Sequence, residues 1–420
     1  MAKRKKRVTD NVEEVVYERC CGMDVHKEDV KACLNIKGKK EVKTFSTMTD
    51  DLLNMAKWLK DNKVEMVAME STGSYWKPVF NILECEEVPA ILVNPMHIKN
   101  LSDPKTDVRD AQWISSLLRH GLLRASFVPK KDMRELRELI KYRGSLSEDS
   151  TRTYNRIDKV LQGANIKLSN IISTTGTKTE MEIIEALSNG ESDVEVLSQK
   201  AKGSLKNKIP EIKRALNGLM GEHQRLLLKS MYNHLKQIRS EIAAIEAEID
   251  KRMEKDSEII DRLDEIPGVG KLTAQVIIAE VGTDMEQFPN ENHLAAWAGV
   301  CPSQNDSGGK RKSGKTKKGN SNLKKALVMA ANSAAKTKDT YLSTQYKRIA
   351  ARRGAKKAKV AVAHSILKIC YFMIKNGTRY QDLGTDYFDK RDKQSIVLRS
   401  IKRIQALGFA VTVTPKDDIA

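Results

Sequence analysis

Asp107 and Asp110, in the run Lys105-Thr-Asp-Val-Arg-Asp-Ala111, stand three residues apart at the head of a segment that the apolar spacing predicts to be a helix, Ala111 to Arg119. An i, i+3 spacing puts both carboxylates on one helical face. Like charges that close repel unless a cation lies between them. In a chain this basic, a divalent metal working on nucleic acid is the first candidate. Two further acids join the pair, Asp24 in Gly22-Met-Asp-Val-His-Lys27 and Glu70 in Met69-Glu-Ser-Thr-Gly73. One acid at a strand end is commonly just solvated. Four that a fold gathers from three elements suit Mg2+, which takes carboxylate and water oxygens. Two such ions about 4 Å apart activate an attacking oxygen and stabilise a leaving one during phosphodiester cleavage. Asp24, Glu70, Asp107 and Asp110 are therefore the expected catalytic and metal-binding residues. His26 follows two residues after Asp24, so strand alternation turns it to the same side while Lys27 faces away.

The elements that must position these acids are legible in the patterning. A strand holding Gly22 to His26, a second over Lys31 to Ile36, a turn at Gly38 and a third strand from Glu41 to Ser46 come first. A helix from Asp50 to Asn62, with Asp50 as cap, leads to a buried-type strand, Val64 to Met69, ending at Glu70. Ser74 to Glu86 reads as a helix, Pro89 to Asn94 as a strand, and the Asp107 helix follows. This order matches an α/β ribonuclease-H-like fold, with Asp24 on its first strand and Glu70 closing its fourth. A basic arm (1–13) precedes the acidic domain (14–160), which ends in a polar helix. Residues 161–215, rich in Ser, Thr, Gly, Asn and Lys, read as an irregular insertion or linker. Within 216–263, Leu228, Met231, Leu235, Ile238, Ile242, Ile245 and Ile249 alternate steps of three and four, the seam of a coiled coil that suits a helical hairpin or a dimer arm. A helical domain spans 264–376. The tail, 377–420, has a basic helix and a strand-like run, Phe409 to Val413, of unread role.

Charge points to the partner. The 420 residues carry 74 Lys and Arg against 55 Asp and Glu, a net charge of +19. Most of the excess lies in 301–360, which holds 17 Lys and Arg and only two acids, Asp306 and Asp339. Such a concentration marks a nucleic-acid face. With no apolar run of about 18 residues and no apolar signal core after the basic start, a cytoplasmic protein without a membrane span is expected. Six scattered cysteines lack zinc-site spacing and read as buried, reduced thiols.

Two segments would make that face. Ile266-Pro-Gly-Val-Gly270 before a helix starting at Lys271 looks like a helix-hairpin-helix turn, whose backbone amides approach phosphate. Gly268, Gly270 and Lys271 are its expected contacts. Cys301 to Asn320 is a basic glycine-rich loop in which Lys310, Arg311, Lys312, Lys315, Lys317, Lys318 and Asn320 are expected to hold phosphates. On composition alone, Ser303, Ser307 and Ser313 merely hydrogen-bond. A serine nucleophile needs a base, a metal or an oxyanion stabiliser. No His or Glu within the loop supplies a base, so covalent chemistry requires the loop to reach the acidic site.

Gly22-Met-Asp-Val-His-Lys, Met69-Glu-Ser-Thr-Gly, Asn94-Pro, Lys105-Thr-Asp-Val-Arg-Asp-Ala, Pro-Gly-Val-Gly and Ser307-Gly-Gly…Lys318-Gly-Asn-Ser-Asn-Leu-Lys324 occur in this order over about 14–128 and 264–376. The set resembles the insertion sequence 110 family of transposases, the DEDD serine recombinases related to pilin-gene invertases. The resemblance implies a RuvC-like domain whose four acids map onto Asp24, Glu70, Asp107 and Asp110. It also implies a C-terminal transposase domain whose nucleophilic serine maps onto Ser307, preferred over Ser313 because it heads the Ser-Gly-Gly pattern. It further implies Mg2+, donor and target DNA, a structured bridge RNA pairing with both, and a dimer or tetramer in which one protomer completes another's site. His26 departs from a common small residue and Lys324 from a usual arginine. The chain is thus expected to be an RNA-guided DNA transposase. The alternatives are a RuvC-like Holliday-junction endonuclease using activated water, and a non-catalytic binding scaffold.

Overall fold

The computed structural model describes residues 15–71, 73–94, 107–172, 176–302, 306–307, 310–311, 314–316 and 318–413. The chain divides into two compact units, Met1–Lys131 and Asp132–Ala420.

In the first unit, β1 (Arg19–Val25), β2 (Asp29–Ile36) and β3 (Lys39–Ser46) form an antiparallel meander. The β2–β3 turn places Lys37 and Gly38 at φ 50° and 90°, both in the left-handed region that tight hairpins demand. Then follow α1 (Thr49–Asp61), β4 (Met66–Glu70), α2 (Trp76–Cys85), β5 (Ala90–Val93) and α3 (Asp107–Arg119). The sheet order is β3-β2-β1-β4-β5, with β4 parallel to both β1 and β5. Parallel central strands are covered on both faces and therefore read as unbroken apolar runs. Cys21, Met23, Val67 and Met69 pack against Leu52, Met55 and Leu59 of α1 and Val79 and Leu83 of α2. Cys20, Ala68 and Val93 pack on the opposite face against Ile114 and Leu118 of α3. Asp50, expected to cap α1, instead lies in its first turn after Met48, where its charge opposes the helix dipole's positive end.

The tightest contact in this unit is between β1 and α3. A Cβ added to Gly22 would lie 2.3 Å from the Ser115 backbone nitrogen and 2.5 Å from the Ala111 carbonyl oxygen, so only glycine fits. Ser115 is buried there; Asn35 Nδ2 and Cys33 Sγ donate to its Oγ at 3.4 and 3.6 Å. Cys20, Cys21, Cys33 and Cys370 are buried free thiols as expected, whereas Cys85 is exposed and Cys301 half-buried.

The second unit is helical. It begins along α4 (Lys131–Gly163) and continues with α5 (Leu168–Ile171), α6 (Lys178–Ser188), α7 (Val194–Ser198), α8 (Ile209–Leu216) and α9 (Glu222–Arg252). Next come α10 (Ser257–Asp264), α11 (Lys271–Val281), α12 (Glu291–Trp297), the short strands β6 (Asp306–Ser307) and β7 (Lys310–Arg311), α13 (Ser321–Ala334), α14 (Tyr341–Arg353), α15 (Ala355–Asn376), α16 (Tyr387–Arg391) and α17 (Lys393–Gln405). Residues 161–215 are not an irregular insertion. Leu168, Ile183, Ile184, Leu187, Leu197, Ile212 and Leu216 form a core with Ile157 and Leu161 of α4 and Leu228 and Leu235 of α9. The polar residues that suggested a linker sit partly at helix starts: Thr177 caps α6, and Asp193 caps α7 by accepting from the Glu195 amide at 2.8 Å.

The α9 seam is likewise spent within the chain. Its N-terminal end joins that core, and Ile249 joins a second one with Leu136 and Ile140 of α4. The pairing is antiparallel to α4, with Arg143–Glu246 at 2.5 Å and Arg252–Glu135 at 2.9 Å across it. Helices α4 and α9 thus pair within one chain, and this pairing occupies the buried ends of the seam. Residues 409–413, strand-like in sequence, are not in a strand. No helix among the described residues is long and apolar enough to cross a membrane.

Gly22→Ala should destabilise the first unit by roughly 1–3 kcal/mol through overpacking, read as a lowered urea midpoint without loss of helix content in the second unit. Burial raises the Cys20 thiol from its usual 9.0 to about 11 and also pushes up Cys21 and Cys33. The folded state then holds protons that the unfolded chain releases. Stability from these thiols is complete below pH 9 and falls as pH rises toward 11. Urea denaturation of the first unit across that window, with thiol labelling within that unit confined to Cys85 in the native protein at pH 8, checks this.

Candidate active site

Asp24 and Glu70 close neighbouring parallel strands. The register pairs Met23 with Met69, so each acid lies one residue further on, at the same strand ends. Cys20 and Ala68 face α3, and the two-residue period of a strand puts Asp24 and Glu70 on that face too. Leu118 and Ile114 cover Cys20 while Ala111 sits on Gly22, so α3 runs toward the Asp24 end with its Asp107–Asp110 turn leading. Asp110 is half-buried there. The Asp24 side chain is only 16% exposed, and His26 Nε2 lies 3.1 Å from its Oδ2, confirming that the two share a side.

The donor set suits a hard divalent cation. Asp24, Glu70 and Asp110 offer only carboxylate oxygens and are partly sheltered, the first two at the ends of adjacent interior strands and the third on α3. Among the described residues no group of three or more His, Cys, Asp and Glu stands close enough to hold a metal. The carboxylates would have to draw together around the ion, as like charges do only when something positive separates them.

The basic constellation lies in the second unit. Helices α10 and α11 are joined by a turn in which Gly268 has φ +87°. A Cβ on Gly268 would meet the Ala330 carbonyl oxygen at 2.3 Å and the Ala334 nitrogen at 2.5 Å, so close packing against α13 requires glycine here. Gly270 caps α11 and is exposed beside Lys271, whose Nζ contacts Asp250 Oδ2 at 2.8 Å. That exposed pair is worth at most about 1 kcal/mol and leaves Lys271 available to a polyanion.

Ser307 lies on β6, paired in register with Lys310 of β7, and Asp306 with Arg311. Lys315 and Lys318 are exposed; Ser303, Lys312, Ser313 and Lys317 lie outside the described residues. Asn320, expected to hold phosphate, makes two side-chain hydrogen bonds within the protein. Its Oδ1 accepts from the Leu323 amide at 3.0 Å, capping α13, and its Nδ2 donates to Glu280 Oε2 at 2.7 Å, so its side chain is committed inside the protein. Sequence reading passed over Glu280 and Arg137. Glu280 is 1% exposed, accepts from Asn322 Nδ2 at 3.2 Å and pairs with Arg137 Nε at 3.3 Å. The available signal was a lone acid in the apolar run Val276-Ile-Ile-Ala-Glu-Val281, where an unpaired charge would be costly.

Comparison with known proteins bears on both constellations. A DEDD transposase model of the IS110 type matches residues 21–166, and the model described as transposase IS116/IS110/IS902 family matches 260–347, together more than half of the chain. The chain belongs to the IS110 family of transposases. It is 29% identical over 328 residues to the transposase for insertion sequence element IS1111A of Coxiella burnetii, covering 76% of this chain and 80% of that one. It is 24% identical to a probable family 20 transposase of Pseudomonas aeruginosa, over 75% and 86% of the two chains. It is also 26% identical to a protein of insertion element IS110 in Streptomyces coelicolor, over 66% and 73%. This transposase is thus an insertion-sequence enzyme, and its DEDD-type family implies dependence on a divalent metal.

If the carboxylates gather an ion, MgCl2 or MnCl2 should raise the transposase's melting temperature at moderate salt. An ion at a hundredfold its Kd adds about 2.7 kcal/mol. Asp24→Asn and Asp110→Asn should each remove most of that rise in differential scanning fluorimetry.

Proposed function

We propose that this transposase cuts and rejoins donor and target DNA through Ser307, with Asp24, Glu70, Asp107 and Asp110 as its Mg2+-binding DEDD site on a ribonuclease-H-like, RuvC-like domain. The observation that carries this reading is the seating of α3 on Gly22, which brings the acidic turn of one element to the strand ends bearing Asp24 and Glu70. The sheet order supports the fold assignment, and the two family matches support joining the acids and the serine loop in one enzyme.

A divalent ion bound by these acids would offset charge on phosphate oxygens. The Ser307 hydroxyl attacks phosphorus, the P–O bond to one strand end breaks, and the serine's proton passes to the departing oxygen. A hydroxyl end from the second DNA then attacks the phosphoserine, restoring serine. Each step exchanges one phosphodiester for another, so no nucleotide energy source is required. Lys310, Arg311, Lys315 and Lys318 offset phosphate charge, with Lys312 and Lys317 in the same run. The helix-hairpin-helix-like turn at Gly270 and Lys271 adds backbone contacts that are blind to sequence.

A structured bridge RNA that pairs with both DNAs supplies target choice, and the positive charge of 301–360 suits it as well as DNA. The working form is a dimer or tetramer in the cytoplasm, associating through surfaces other than the buried ends of the α9 seam. A RuvC-like junction endonuclease would use the same acids with water as nucleophile and the loop only as a grip.

Ser307→Ala separates the two chemistries. It should abolish covalent protein–DNA adducts, detected by denaturing gel, while leaving RNA binding intact. Asp107→Ala should abolish both adducts and strand cleavage. Cleavage that survives in Ser307→Ala but not in Asp107→Ala would establish the endonuclease instead.

A further inference from the structure

The described residues at the two ends of the basic run Cys301 to Asn320 are pinned at several points. Pro302 and Thr316 bridge across it, and Lys324 Nζ donates to Thr316 Oγ1 at 2.7 Å from α13. A Cβ on Gly319 would strike the Gly299 nitrogen at 2.4 Å and the Trp297 carbonyl oxygen at 2.6 Å, so the returning chain lies flush on the end of α12. The Asn320 amide donates to Trp297 O at 3.1 Å. Beneath these contacts sits Glu280, 1% exposed, holding Asn320 Nδ2 at 2.7 Å and Asn322 Nδ2 at 3.2 Å. Arg137 reaches it from α4, with Nε 3.3 Å from Oε2 and donating to Ala279 O at 2.7 Å.

Helix capping does not explain this arrangement. Asn320 Oδ1 already accepts from Leu323, and a cap needs no buried carboxylate behind it. The amide end of the side chain, which could otherwise face solvent or phosphate, is instead held by a charge whose burial is tolerable only because Arg137 and two amides satisfy it.

We propose that Glu280 is the positioning residue of the Ser307 hairpin: through Asn320 it sets where the returning strand leaves the helical core, with Arg137 as its counter-ion. The proposal rests on Ser307 being the nucleophile. In-line attack on phosphorus tolerates little misplacement, and a shift of about 1 Å can cost about a hundredfold in rate. Glu280 touches neither DNA nor the reacting atoms and acts through the loop it anchors.

Glu280→Gln keeps the side chain's shape and one acceptor but removes the charge facing Arg137. Asn320→Ser keeps a hydroxyl to cap α13 and removes the amide donor. In the full-length protein with bridge RNA and both DNAs, each should lower the adduct-forming rate at saturating DNA by about 10- to 100-fold. For Glu280→Gln the KM for donor DNA should stay within about threefold of wild type. Trypsin cleavage after Lys315 and Lys318, followed by mass spectrometry at a temperature well below the melting transition of each protein, should accelerate by about tenfold in both variants. Wild-type rates and wild-type cleavage in both variants would overturn the proposal, as would a loss in Glu280→Gln confined to KM. Ser307→Ala run alongside reports separately on the nucleophile: if it still forms adducts that reading fails, and the trypsin comparison still decides the anchor.

Discussion

The first unit depends on the absence of one side chain. Gly22 lets the backbone of α3 rest on β1 at a distance that no Cβ would allow, and Ser115, Asn35 and the buried thiols fill the space around that contact. A helix laid this close follows the strand closely, so its first turn reaches the strand end where Asp24 stands. The spacing of the acids along the chain is only half of the proposed arrangement. The other half is the packing contact that seats α3 on β1, and it lies two residues from Asp24.

The second unit meets a different problem, how to hold a strongly basic loop to an apolar helical core. Lysines carry hydrated charges that are costly to bury, so much of the attachment is made by residues without net charge: Gly319 by close approach, Asn320 by two hydrogen bonds, Thr316 by a bridge to Pro302 and a bond from Lys324 of α13. The single negative charge at the root, Glu280, lies out of water, where its interaction with Arg137 is least screened. Charge that must meet a polyanion and charge that must hold the loop are thereby kept in different environments.

The two helices α4 and α9 show why a heptad pattern does not name its partner. Leu228, Leu235 and Ile249 ask only for an apolar groove at regular spacing, and an antiparallel helix of the same chain supplies it at far higher effective concentration than a second copy. The short helices of 168–216 were hidden for a related reason. Each is too brief to show a clear period, and their capping residues, Thr177 and Asp193, are the same types that mark loops.

The order of strands and helices in the first unit, the basic run and the family were legible in the amino-acid sequence, because each depends on residue type and local spacing. Motifs put forward Asp24, Glu70, Asp107 and Asp110 as the proposed site, and alternation along β1 correctly put His26 beside Asp24. The tertiary structure alone decided which surfaces those residues and their neighbours use. It turned Gly268 toward Ala330 and Asn320 toward Glu280, closed the α9 seam on α4, and showed that Gly22 is where a helix and a strand touch. Close approach and burial are relations between segments far apart in the chain. No local pattern encodes them, and they appear only when the backbone brings those segments together.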